Sequence, residues 1–191
     1  MKFYRLLFIG LSIAVLTSLS SCEKKEKEDP IIPNEEELIT SLYYTLIDTV
    51  ANDTVVFSFR DLDGDGGNPP EIINGSLTAN TDYIGSIGLY NESISPRENI
   101  GNEVKQEDDH HQFFFIYPTG LNISITYDDF DSNGNPLGLE NSLSTGEISS
   151  DELVIILRHN PDKNAAGVSD GLIANAGGET DIEVTFDLTI L

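Results

Sequence analysis

The sequence predicts an all-β domain built from two antiparallel sheets packed face to face, and three observations carry that prediction. Apolar and polar residues alternate in segment after segment, turn-forming residues separate those segments, and no stretch shows the apolar spacing of an amphipathic helix. The alternation is clearest at the C-terminus. Ile182, Val184, Phe186, Leu188 and Ile190 fall on one face of an extended strand, and Asp181, Glu183, Thr185, Asp187 and Thr189 fall on the other.

About nine strands are expected in order along the chain. The first, over 38–48, carries Leu42, Tyr44 and Leu46 on one face, and the second, over 53–60, carries Val55, Phe57 and Phe59. A third at 71–78 follows the turn Asp63-Gly64-Asp65-Gly66-Gly67, and a fourth at 82–91 alternates Tyr83, Gly85, Ile87 and Leu89. The aromatic run Phe113-Phe114-Phe115-Ile116-Tyr117 marks a fifth at 111–117. Leu121, Ile123, Ile125 and Tyr127 mark a sixth at 121–128. The turn Asn133-Gly134 leads to a seventh at 137–144, Leu153, Ile155 and Leu157 define an eighth at 152–159, and the ninth spans 180–190. An immunoglobulin-like sandwich is the economical way to bury one face of each strand. Two connections, Asn91 to His110 and Asn160 to Gly178, exceed the roughly 12–15 residues of an ordinary loop and are the places to look for function.

The strands occupy only the last part of the chain. Lys2 and Arg5 precede an apolar run from Leu6 to Leu16, too short to span a bilayer, which needs roughly 20 apolar residues. Residues 1–21 therefore read as an export signal. The run ends in Leu19-Ser20-Ser21-Cys22, which resembles the lipobox of bacterial lipoproteins, so Cys22, the chain's single cysteine, is the expected lipidation site. It leaves no internal disulfide to form. Residues 22–37, charged and interrupted by Pro30 and Pro33, read as a linker to a domain at 38–191. The charged residues after Cys22 look like the surface-export signals of Bacteroidetes-type lipoproteins. The expected location is the cell envelope, lipid-anchored at the outer membrane, with the domain facing the periplasm or the surface.

Net charge restricts the partners. The chain carries 10 Lys and Arg against 33 Asp and Glu; removing Lys2 and Arg5 with the signal leaves 8 − 33 = −25. Such a surface repels nucleic acid and favours cations and basic partners.

Three clusters bear ligand chemistry. Asp129, Asp131, Asn133, Asn135 and Glu140 match the spacing of a calcium loop, Asp-x-Asp-x-Asn-Gly-x5-Glu, although strands rather than helices flank it and Pro136 sits at its centre. Asp61, Asp63 and Asp65 present alternating carboxylates suited to the same hard cation, without the closing glutamate. Glu107, Asp109, His110 and His111, with His159 at another strand end, offer the imidazole and carboxylate set that zinc or copper prefers. Neighbouring strand residues face opposite ways, so His110 and His111 reach one ion together only from a loop. Catalytic patterns are missing: there is no G-x-S-x-G elbow, no H-E-x-x-H helix and no nucleophilic cysteine, and the chain is not expected to be an enzyme.

Several strings resemble a group of small Bacteroidetes-type lipoproteins often labelled "type 1 periplasmic binding fold superfamily". They are Asp61-Leu-Asp63-Gly-Asp65-Gly66, Glu107-Asp108-Asp109-His110-His111-Gln112-Phe113-Phe114, Gly134-Asn135-Pro136-Leu137-Gly138-Leu139, Leu157-Arg158-His159 and Ala176-Gly177-Gly178-Glu179-Thr180-Asp181-Ile182-Glu183-Val184. The resemblance implies an envelope lipoprotein that hands a ligand to an outer-membrane receptor. The label itself implies a large two-lobed α/β fold, with which the alternation here is inconsistent. The leading expectation is capture of a ligand or metal cation. The alternatives are an adhesion or interaction module with structural calcium and, further off, a hydrolase with a carboxylate pair.

Overall fold

The structure is a computed structural model and describes residues 38–64 and 66–191. The export signal, Cys22 and the linker expected at 1–37 lie outside the described residues, as does Asp65. No helix among the described residues is long and apolar enough to cross a membrane.

The domain is an all-β sandwich of two sheets. The larger sheet runs β3 (Glu71–Ile73), β2 (Thr54–Arg60), β1 (Ser41–Asp48), β5 (Asp82–Asn91), β9 (Glu140–Thr145), β8 (Ile123–Tyr127), with the two-residue β6 (Glu98–Asn99) paired to β5. The smaller runs β4 (Gly75–Leu77), β11 (Glu179–Ile190), β10 (Ser149–His159), β7 (His111–Ile116). Alternation builds both. Leu42, Tyr44 and Leu46 of β1 meet Phe57 of β2, Leu89 of β5, Phe113 of β7, Leu153, Ile155 and Leu157 of β10 and the even-numbered apolar residues of β11 in one core. Inside that core the Tyr44 hydroxyl donates to Asn141 Oδ1 at 2.7 Å. Gly85 makes room for this bond, since a Cβ there would meet Asn141 Oδ1 at 2.2 Å.

The architecture departs from the nine-strand expectation in three places. The segment expected as one strand at 71–78 is two, β3 on the larger sheet and β4 on the smaller, because the chain crosses between sheets at Asn74. β4 pairs parallel to β11, so the fold is not purely antiparallel. The connection from Asn91 to His110 contains a helix, α1 (Ile100–Gln106), where the sequence predicts none. Seven residues are too few for a periodicity signal, yet Asn99 caps the helix by accepting from the Asn102 N–H, and Ile100 and Val104, four apart, enter the core.

The second long connection, 160–178, is packed as well. Val168 and Ala176 cover Phe114 and Ile156 on the outer face of the smaller sheet, and the buried Gln112 side chain donates to Val168 O at 2.9 Å.

Candidate metal centre

At one end of the smaller sheet, three strand termini converge. The register sets His111, the first residue of β7, opposite His159, the last of β10. Both continue the inward-facing rows of their strands, Phe113 and Phe115 on one, Leu153, Ile155 and Leu157 on the other, so their imidazoles enter the sandwich together. The rings stack with centroids 4.7 Å apart. Both residues are buried, at 0% and 7% exposure.

The third member is Asp181 of β11, and a break in the ladder delivers it. Leu157 pairs with Ile182, but the next residue, Arg158, pairs with Thr180, leaving Asp181 as an extra residue in a β-bulge. A bulge turns two successive side chains to one side. Asp181 accordingly joins Ile182 on the inner face instead of facing solvent with Glu183, and its side chain is 1% exposed. Its Oδ2 lies 3.7 Å from His111 Nε2 and its Oδ1 3.6 Å from His159 Nδ1. One ligand atom from each of the three residues falls within 4.8 Å of the others.

The surroundings orient this set. His111 Nδ1 faces the backbone carbonyl of Glu107, just past α1, at 3.0 Å. A carbonyl only accepts, so a ring proton sits on Nδ1, and Nε2 is the nitrogen turned toward Asp181. Burial pushes the His111 imidazole below its usual pKa against the opposing effect of the Glu107 carbonyl. The bulge is held from outside: the Arg158 guanidinium donates through Nε to Gly177 O at 3.0 Å, through an NH2 nitrogen to Gly178 O at 2.6 Å, and to the Thr180 hydroxyl. Gly178, at φ +70, comes so close to β10 that a Cβ would meet His159 O at 2.2 Å.

Of the residues expected to ligate a transition metal, the structure thus brings together His111 and His159. The three-residue group contains neither His110, Glu107 nor Asp109. His110 is exposed; its Nδ1 lies 2.6 Å from Asn160 Oδ1 and its Nε2 3.7 Å from Asp109 Oδ1. Glu107 acts through its main chain, as the carbonyl that orients His111. Strict alternation places Asp181 on the polar face, and the bulge overturns that placement.

The two aspartate loops are engaged with the protein. Asp131 Oδ1 accepts from the Asn133 and Asn135 N–H groups at 2.8 and 2.9 Å, and its Oδ2 accepts from the Lys163 ammonium at 3.2 Å. Lys163, itself buried, also donates to Pro136 O at 3.0 Å and to Asp108 O, so an ammonium from the 160–178 segment occupies the inside of the loop. Hydrogen bonds from Asn135, Lys163 and Asn133 hold the Asp131 carboxyl below its usual range despite burial. Asp129 Oδ1 accepts from Gly138 N–H at 2.7 Å, and Glu140 lies on β9, exposed, opposite Ser86. In the other loop Asp61 Oδ1 accepts from Gly64 N–H at 2.9 Å and Asp63 Oδ2 from the Asn68 N–H and side chain at 3.0 and 2.7 Å.

Comparison with protein-family models, with curated proteins and with solved structures returns no match for this chain.

Proposed function

We propose that this domain captures a divalent transition-metal cation at the cell envelope, with His111 Nε2, His159 Nδ1 and an Asp181 carboxylate oxygen as ligands. The observation that carries the reading is the convergence of these three atoms within 4.8 Å in a buried site. Bonds of about 2.0–2.1 Å at tetrahedral angles set ligand atoms roughly 3.3 Å apart. His111 Nε2 lies 3.7 Å from Asp181 Oδ2 and His159 Nδ1 3.6 Å from Oδ1, near this spacing, and the set as a whole, within 4.8 Å, draws together to close around an ion. Two imidazoles and one carboxylate suit zinc or copper, whereas calcium takes about six to eight oxygens. The acidic surface draws cations toward the domain, and the anchor expected at Cys22 would hold it where it can pass the ion to an outer-membrane receptor.

A thermal melt tests this. The purified full chain, stripped with a chelator, is unfolded alone and with zinc, copper or calcium. Zinc or copper at a hundredfold excess over Kd adds about 2.7 kcal/mol of stability. The shift disappears in His111→Ala/His159→Ala, persists in His110→Ala, and is not produced by calcium. A zinc or copper response that survives loss of both histidines, or no response in the parent chain, overturns the proposal.

A further inference from the structure

We propose a second binding site: the open edge of β11 accepts an extended basic peptide as an added strand. β10 pairs with one edge of β11 along its length. The other edge is covered by β4 only over Leu188–Ile190. Asn74 extends that cover by one residue, accepting from Asp187 N–H at 3.0 Å and donating to its carboxylate at 3.1 Å. From Thr180 to Phe186 no strand of the described residues pairs with this edge. An edge that no neighbouring strand pairs is a template for strand addition, and this place continues the track of β4. Beside it runs a groove of about 630 Å³ between Thr180–Glu183 of the smaller sheet and Leu38–Thr40 with Asp61–Gly64 of the larger. Leu38 and Leu62, 59% and 45% exposed, give it an apolar rim.

Charge selects the occupant. Glu183 and Asp187 stand exposed on the outer face of β11, Asp61 and Asp63 lie across the groove, and no Lys or Arg lines it. A second copy paired through this edge would set these carboxylates against their own kind, which is the usual protection against self-association. A basic strand meets the opposite situation: a Lys or Arg side chain pairs with Glu183 on the outer face while the neighbouring apolar ones turn toward Leu38 and Leu62. Thr180 to Phe186 accommodates seven residues, roughly 20 Å at about 3.3 Å per residue.

Asp181 lies in this edge and lines the groove, but the peptide engages the backbone edge and neither His111 nor His159, so binding is tested on metal-free full chain and its failure is distinguishable from failure of metal capture. The probe is a seven-residue peptide alternating lysine and valine, with blocked termini. Titration followed by anisotropy is expected to saturate, and hydrogen exchange to show new protection at the outward amides between Thr180 and Phe186. Glu183→Lys weakens binding about fivefold or more, as loss of a cross-strand charge pair requires. N-methylation of alternate peptide nitrogens, in the phase that faces β11, abolishes it. Failure to saturate, or binding indifferent to methylation in either phase, overturns the proposal. Protection of those amides without peptide also overturns it, because the edge is then already covered by a second copy or by residues preceding Leu38.

Discussion

Glu92 shows how single residues hold the long connections down. Its carboxylate accepts from Arg60 Nε at 2.9 Å, from Arg97 at 3.0 Å, from the Ser41 hydroxyl at 3.0 Å and from the Tyr43 hydroxyl, so the segment that leaves β5 is tied to β1 and β2. Arg97 also lies 3.9 Å over the Tyr90 ring. Burial raises the Glu92 pKa, but the hydrogen bonds from Arg60, Arg97, Ser41 and Tyr43 outweigh it and draw the carboxyl from 4.5 to about 2. A carboxyl depressed in the folded state stabilises above its unfolded pKa, and that contribution disappears as pH falls through the folded one. Arg60 and Arg97 remain open to water, so screening limits the contribution to about 1 kcal/mol. Glu92→Gln is therefore less stable than the parent by about 1 kcal/mol at pH 6, and the gap closes as pH is lowered from 4.5 toward 2. Urea unfolding of both proteins across that range checks it; a gap that does not change with pH means the residue acts through packing alone.

At the scale of elements, the bulge in β11 decides whether there is a site at all. His111 and His159 were legible in the sequence, because the ends of two alternating strands carry them on the core side. Asp181 was not, because a bulge is a backbone event that changes side-chain phase without changing composition. The helix α1 escaped for a related reason: two apolar residues, Ile100 and Val104, do not establish a period, although they suffice to seat this seven-residue helix on β5. The calcium spacing at 129–140 was legible as spacing, but Lys163, whose ammonium enters the loop from a distant segment, was not. Arg158 is the positioning residue of the bulge, since it grips Gly177, Gly178 and Thr180 from the outer face while touching no proposed ligand. Arg158→Met is expected to weaken zinc binding by about tenfold, as loss of an outer support of a metal site does. Competition against a chromophoric chelator measures this, alongside the melting temperature of metal-free protein. A fall in melting temperature that is equal with and without zinc would mean that Arg158 supports the fold only.

For the whole molecule, the dominant electrostatic fact is imbalance. From residue 38 onward the chain has five basic residues, Arg60, Arg97, Lys105, Arg158 and Lys163, against 26 acidic ones, a net 5 − 26 = −21. Three of the five are already committed, Arg60 and Arg97 to Glu92 and Lys163 to Asp131. Two effects of salt then compete. Screening weakens the exposed pairs, each worth about 0.2–1 kcal/mol, and it also relieves the mutual repulsion of the remaining carboxylates, which opposes the compact state. The carboxylates outnumber their partners about fivefold, and at 0.5 M salt the screening length falls well below the roughly 10 Å of 0.1 M. Repulsion therefore dominates, and the melting temperature of metal-free protein rises between 10 mM and 500 mM sodium chloride by several degrees, equivalent to about 1 kcal/mol for a domain of this size. Potassium chloride gives the same rise, because screening does not depend on which monovalent cation supplies it. A flat or falling profile means that the Glu92 cluster and the Lys163–Asp131 pair outweigh the repulsion. A rise specific to one cation instead points to a binding site for it.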